Sequence, residues 1–449
     1  MREATRRLSA VSARLSATTT LLLLPIFAAC ARPAGDGTAP VTLRFWAFGR
    51  EGEVVQELVP EFERRHPGVR VRVQQIPWSA AHEKLLTAYV GGSTPDVAQL
   101  GNTWVPELHA LGALEPLGAL AAGAGSTAPK EAFFPGIWET NVVDGEVYGV
   151  PWYVDTRVLF YRSDLLAAAG HATPPTTWAA WRDAMRALRA RMTPSQYPIL
   201  LPTNEWPQPA ILGLQAGAPL LRDGDRYGGF RDPRFGQAFE FYVGLFRDSL
   251  APSLSSTQIS NRYQEFARGN VAMMITGPWE IGEFKRRLPP ELQGSWMTAP
   301  LPGPNGPGVS MAGGASIVIF RDSPNKAMAW KLVEFLAEPA QQIRFYQLTG
   351  NLPSRRDAWQ DTSLAGDVHL RAFREQLDRV RPLPKVPEWE QIATKLYEHG
   401  ERAVRGRATV SQALAALDRD VDALLEKRRW MLEQRAIRTT AASAAAGGR

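Results

Sequence analysis

Residues 41–46 alternate apolar and polar side chains, residues 53–65 repeat apolar groups at Val54, Val55, Leu58, Val59 and Phe62, and residues 69–73 alternate again. Strand, helix and strand in that order form a βαβ unit, which commits the chain to the α/β class. Pro60, inside the helical repeat, is expected to kink or break it. A second helix, capped by Ser79, is expected to run through Tyr89, and after Gly91-Gly92 residues 96–100 read as a third strand. Ligands of open α/β sheets bind beyond the carboxyl ends of the strands. That rule singles out residues 46–51, with Trp46, Phe48, Arg50 and Glu51, and residues 101–104, with Asn102, Thr103 and Trp104.

Residues 148–161 crowd β-branched and aromatic groups around Pro151, directly after the turn-like Asp144-Gly145-Glu146. Pro151 keeps Val150 out of the helical region, and the segment reads as an extended crossover between two globules. Asp155 and Arg157 stand there among Trp152, Tyr153 and Tyr161, whereas an ordinary core strand is apolar throughout. Two readings stay open: a ligand surface that combines aromatic faces with hydrogen-bonding groups, and a buried Asp155–Arg157 ion pair beside core aromatics.

A chain of 449 residues with 45% hydrophobic content is large enough for two or three domains. Residues 1–29 open with arginines, continue into Leu21-Leu22-Leu23-Leu24-Pro25-Ile26-Phe27 and end on the small pair Ala28-Ala29, the succession of a secretory signal peptide. That leader carries +3 of the formal +6 charge, so the mature chain has no nucleic-acid footprint. Cys30 is the only cysteine and excludes an internal disulfide. Its position resembles a bacterial lipobox, with Phe27 where leucine is usual, and lipidation of Cys30 is expected. Residues 31–40 are small and aperiodic, a linker between anchor and body.

Further along, Trp178, Trp181, Met185 and Leu188 follow Thr176-Thr177 as an amphipathic helix. Glu205-Trp206-Pro207-Gln208 interrupts apolar sequence on a proline-rich loop, and residues 235–246 are helical. The apolar strand 271–275 ends in Thr276-Gly277-Pro278-Trp279-Glu280. Residues 300–307 have turn composition, Gly313-Gly314-Ala315 opens another strand, and helices are expected at 325–335, 340–348 and from 393 to about 433.

Several of these stretches resemble one family. Phe45-Trp46-Ala47-Phe48, His66-Pro67-Gly68-Val69, Thr94-Pro95-Asp96-Val97, the crossover at 148–161 and the loop Thr276-Gly277-Pro278-Trp279-Glu280 are similar to segments of the extracellular solute-binding proteins of bacterial ABC importers, the large sugar-binding family. The resemblance runs from residue 41 to about residue 435. It implies a two-lobed α/β periplasmic-binding-protein fold of the Venus flytrap kind, its lobes joined by three crossover segments. Residues 41–152 and 311–352 would form the first lobe, 153–310 and 353–436 the second, and 437–449 a disordered tail. It further implies a lipid-anchored, extracytoplasmic monomer that captures a carbohydrate between the lobes and delivers it to a membrane permease, without catalysis or cofactor. The ligand residues it points to are Trp46, Glu51, Asp96, Asn102, Trp152, Asp155, Trp206, Trp279 and Gly314, with Trp279 in the place of a sugar-stacking tryptophan.

The residues themselves agree in part. No HExxH, phosphate loop or GxSxG motif is present, and the six histidines are scattered singly, so no histidine-based metal site is expected. Fourteen tryptophans exceed what helix cores need, and a pyranose offers an apolar face to such rings and a rim of hydroxyls to polar groups. Two alternatives remain: a secreted glycan-processing enzyme using Asp96, Asp155 and Glu280 as paired carboxylates, and the same fold binding a polyamine or a metal. Cys30→Ser is expected to release or mislocalise the protein. Intact mass of the membrane-extracted chain checks the anchor, and an unmodified Cys30 would refute it.

Overall fold

The computed structural model describes residues 40–434 and residue 437. The leader, Cys30 and the linker up to residue 39 lie outside the described residues, as does the expected tail apart from Ile437. Among the described residues no helix is long and apolar enough to cross a membrane.

Strands β1 (Val41–Phe48), β2 (Val69–Ile76) and β3 (Val97–Gly101) run parallel, with Val41 opposite Val69 and Phe45 opposite Val97. Because successive side chains point to opposite faces, Leu43 and Phe45 enter one core layer with Val71 and Phe335, while Trp46 and Phe48 enter another with Leu85 and Leu108. The sheet is therefore covered on both faces, as parallel sheets require. The helical connection after β1 breaks where proline was expected to act: a helix Gly49–Val54 and a 3-10 turn Val55–Glu57 precede the helix Val59–Arg65, with Pro60 in its first turn. Ser79 does not cap the next helix. That helix, Trp78–Val90, starts from Pro77 with no side-chain cap, so Ser79 already lies inside its first turn.

The crossover resolves into two strands, β4 (Val150–Asp155) and β5 (Val158–Arg162), which belong to different sheets. β5 joins β6 (Tyr197–Leu200), β7 (Val271–Thr276) and β8 (Trp296–Ala299) in a four-stranded sheet of order β8-β5-β7-β6. The chain then returns as β9 (Gly313–Ile319) and β10 (Leu352–Pro353), completing a six-stranded sheet of order β10-β4-β9-β3-β1-β2. The chain changes sheet at 155–158, again at 300–312, and a third time after Pro353, where the helix Arg371–Leu377 packs against β8. Helices Trp389–Val404 and Val410–Leu424 pack on each other and complete the largest core cluster, with Trp389, Leu396 and Leu417 buried.

Gly314 has φ +124 and lies opposite Val154 of β4. A Cβ at Gly314 would collide with the Tyr153 carbonyl oxygen and come within 2.9 Å of the Val154 Cα. Only glycine allows both that conformation and that approach. The register then shifts between Ala315 and Ser316, a bulge that bends the strand. Nearer the helix Arg371–Leu377, Asp367 accepts hydrogen bonds from Lys285 Nζ (2.6 Å) and from His369 N (3.0 Å). Burial opposes the ionised form, but the hydrogen bonds from His369 and Lys285 outweigh it and hold the Asp367 carboxyl well below the ordinary carboxylate range.

Two outcomes follow for stability. Gly314→Ala should lower the urea midpoint by an amount equivalent to about 1–3 kcal/mol, and a midpoint equal to wild type would show that the strands separate freely. A carboxyl depressed in the folded state stabilises it above the unfolded pKa of about 4 and ceases to do so as pH falls. The urea midpoint should therefore drop on acidification below that value, and Asp367→Asn should flatten the drop; an unchanged slope would remove Asp367 from the titration.

Candidate functional site

The site grows from the joint between β4 and β5. Residues two apart on an extended chain share a face, so β4 presents Tyr153 and Asp155 together. The Tyr153 hydroxyl accepts from Gln99 Nε2 at 3.2 Å. Burial, with the negative charges of Glu51 and Asp155 nearby, pushes that hydroxyl well above its ordinary pKa and keeps it neutral. Glu51 stands just past the carboxyl end of β1, where the helix Gly49–Val54 turns away. Its Oε1 accepts from Asn351 Nδ2 (2.9 Å) and its Oε2 from Trp78 Nε1 (3.3 Å). Glu51, Trp78, Asn351, Tyr153 and Asp155 thus form one polar and aromatic wall.

Asp155 is ion-paired with Arg157. Burial raises the Asp155 carboxyl pKa, and the Arg157 guanidinium pulls it back. The same guanidinium lies 4.5 Å from the centroid of the Trp279 ring, a cation–π contact. Trp279 begins the helix Trp279–Arg287 and is 43% exposed, unusual for so large an apolar side chain. The indole folds back over Gly277, where a Cβ would overlap its six-membered ring. Arg157, Asn204, Glu205, Trp206, Arg262 and Trp279 line a cavity of about 340 Å³. Trp206 enters it from the start of the helix Pro207–Gln215, braced edge-on against Trp389 at 5.7 Å.

Of the residues singled out in the sequence, Glu51, Asp155, Trp206 and Trp279 are drawn along this strip, with Gly314 packed behind β4. Asn102 donates to Thr140 Oγ1 at 2.6 Å and borders a separate gap beside Lys385. Three others face elsewhere. Trp46 is buried beneath Lys84, whose Nζ is 5.0 Å from the ring centroid, because its place on β1 turns it toward the helix Trp78–Val90. Trp152 is in the core, stacked 4.3 Å from Phe345. Asp96 precedes β3 at its amino end, away from the ligand-side loops, and accepts from Arg44 N (2.8 Å) and Ser323 Oγ (2.6 Å).

These commitments bear on the paired-carboxylate alternative. Asp96 pins strands together, and Glu280 is 2% exposed, its carboxyl pKa raised by burial, with Arg262 Nη1 3.4 Å away. Trp78, Asn351 and Arg262 were not anticipated. Trp78 follows the carboxyl end of the parallel strand β2, so the rule that directed attention to Glu51 also covers it. Arg262 and Asn351 carry no local signal and reach the strip only through packing.

Residues 48–343 match the family described as bacterial extracellular solute-binding protein. The chain is similar in structure to the sugar-binding protein MalE from the phytopathogen Xanthomonas citri, at 49% identity and a TM-score of 0.86, covering 88% of this chain and all of that one. It is similar also to an ABC transporter solute-binding protein from Thermotoga lettingae bound with alpha-D-tagatose, at 26% identity, TM-score 0.70, and 86% and 100% coverage. An uncharacterized lipoprotein in the oleD 5'region of Streptomyces antibioticus is 28% identical over 84% of this chain and 86% of its own length. Two α/β sheets exchanging strands at three crossings are the periplasmic-binding-protein fold of those solved structures. With a family match over residues 48–343, this chain belongs to the bacterial extracellular solute-binding proteins.

Proposed function

We propose that this protein captures a carbohydrate in the cleft between its two sheets and hands it to the permease of an ABC importer, from outside the cytoplasm and without chemical change to the ligand. The observation that carries the reading is Trp279: a large ring left 43% exposed, brought in over Gly277, within reach of Arg157 and beside Glu205 and Asn204. An apolar plate with hydrogen-bonding groups at its edge suits a pyranose, whose C–H face stacks while its hydroxyls bond outward. Arg157 is paired with Asp155 and Arg262 with Glu280, while Glu51 and Glu205 accept from Asn351, Trp78 and Gln208, so the strip offers donors and acceptors to the hydroxyls of a polyol. The similar protein from Xanthomonas citri is a sugar-binding protein, and the one from Thermotoga lettingae holds a monosaccharide.

The proposed ligand residues are Glu51, Tyr153, Asp155, Arg157, Trp206 and Trp279. The lobes divide where the chain changes sheet: 41–155 with 313–353, and 158–299 with 371–434. A lipid on Cys30 tethers the monomer to a bacterial membrane on the extracytoplasmic side, as the lipoprotein label of the Streptomyces antibioticus relative supports. A ligand that touches both lobes binds the closed arrangement better and shifts the population toward it.

A thermal-shift screen over mono- and disaccharides should find a sugar that raises the melting temperature with concentration. Trp279→Ala should weaken that sugar by about 1 kcal/mol or more, read by calorimetry. Saturating sugar should reduce the radius of gyration in solution scattering and change tryptophan emission. A sugar that is chemically altered on incubation, or a panel in which none binds, would sink the reading.

A further inference from the structure

After the helix Val410–Leu424 the chain turns at the buried Leu425 and continues as a helix over residues 426–434. Two arginines hold the root of that helix to the turn after residue 222. Arg428 Nε donates to the Asp225 carbonyl (3.1 Å), and Arg429 Nη1 donates to the Arg226 carbonyl (3.1 Å) and the Asp422 carbonyl (2.7 Å). The Arg429 guanidinium also lies 4.7 Å from the centroid of the Tyr227 ring. These partners are carbonyl oxygens and a ring, so the hydrogen bonds are made while both positive charges stay unneutralised.

While Arg428 and Arg429 bind the body, Trp430 and Met431 turn outward. They are 59% and 37% exposed, and Ile437 is exposed as well. Among the described residues three tryptophans are more than a third exposed: Trp78 and Trp279, which belong to the strip at the joint between the sheets, and Trp430, which is remote from it and enters no core cluster. Exposed apolar side chains rimmed by polar ones mark an interaction surface.

The charge of this end of the chain says what the surface fits. Residues 426–449 contain six basic and two acidic side chains, a net +4, against +3 for the whole chain beyond the leader. The rest of the mature chain is therefore slightly acidic, and its positive charge is gathered beside the exposed indole. A second copy would set like charge against like, which disfavours self-association through this face. An anionic bilayer suits both features, since it attracts basic segments, and an indole sits well at the headgroup level with its ring in the apolar boundary and its N–H toward water. The bilayer is also near: residues 31–40, fully extended, hold the body within about 35 Å of a lipid on Cys30. Such a tether makes even a weak surface contact effectively intramolecular.

We propose that the helix at residues 426–434 and the basic sequence after it dock on the anionic phospholipid surface of the membrane, with Trp430 and Met431 entering the headgroup layer. The proposal rests on the reading of Cys30 as a lipid anchor for the nearness of the bilayer, and on the helix itself for the contact.

Vesicle co-sedimentation of the mature chain carrying Cys30→Ser, which has no lipid, isolates that contact. The protein should bind vesicles of phosphatidylcholine mixed with phosphatidylglycerol, ignore vesicles of phosphatidylcholine alone, and come off as salt is raised. Trp430→Ser with Met431→Ser should weaken binding about tenfold or more, and Arg435→Gln and Arg438→Gln about fivefold each, with the melting temperature unchanged in all. A chain that ignores the anionic vesicles, equal binding to both kinds, or variants with wild-type vesicle affinity would overturn the proposal. So would a concentration-dependent dimer in sedimentation velocity that Trp430→Ser with Met431→Ser abolishes, because the exposed face would then join two copies. The mass of the membrane-extracted wild-type chain reports separately on Cys30, so failure of the anchor and failure of the docking surface are told apart.

Discussion

All three chain crossings leave the six-stranded sheet side by side, and the strand at their centre is β4. Val154 is paired with Gly314 of β9 on one edge and with Leu352 of β10 on the other. That arrangement depends on β9 lying close enough to β4 for Gly314 to sit where any Cβ would strike the Tyr153 carbonyl. Once the three strands are adjacent, their exits are stitched together: Thr156 Oγ1 donates to the Met311 carbonyl at 2.8 Å, the Arg157 N–H to Ser310 Oγ at 3.2 Å, and Ser354 Oγ to the Pro151 carbonyl at 2.7 Å. Three connections that cross side by side allow bending about that line and resist twisting apart, which is what a two-lobed binding protein requires.

The polar and aromatic strip is a consequence of the same strand. β4 holds Tyr153 and Asp155 rigidly because it is hydrogen-bonded on both edges, and the next residues step into the other sheet, carrying Arg157 to Trp279. Asp155 is thereby placed where burial works against its charge and only Arg157 supports it. The pair costs desolvation, and its return is positional: the guanidinium is oriented against the indole and away from bulk water. A single short stretch of chain therefore supplies hinge, polar groups and orientation of the aromatic plate.

Much of the fold was legible in local pattern. The βαβ opening, the break at Pro60 and the crossover at Pro151 rest on side-chain periodicity and on proline's fixed φ, which act within a few residues. The structure makes Thr177 the cap of the helix Trp178–Arg189, accepting from Ala180 N at 3.2 Å, which is likewise a local contact. The change of sheet at 155–158 falls inside the stretch 148–161 read as one extended crossover, because two successive strands of opposite allegiance look alike when both are apolar.

The sequence by itself determined the α/β class, the stretch within which the first crossing falls and the motif around Trp279, since periodicity, proline and glycine leave marks that need no partner to be read. Which of these tryptophans stays exposed was decided only by the tertiary structure. Trp46, Trp152 and Trp279 all stand at strand ends or in loops in the sequence, yet the direction of each ring is fixed by what lies opposite it: Lys84 over Trp46, Phe345 against Trp152, and for Trp279 Arg157 on one part and open space on the rest. Asn351 and Arg262 reach the cleft from points remote in sequence, and no short-range rule carries that information. Contact between distant segments is a property of the packed chain, so the partners that turn an aromatic residue into a binding surface appear only once the sheets are assembled.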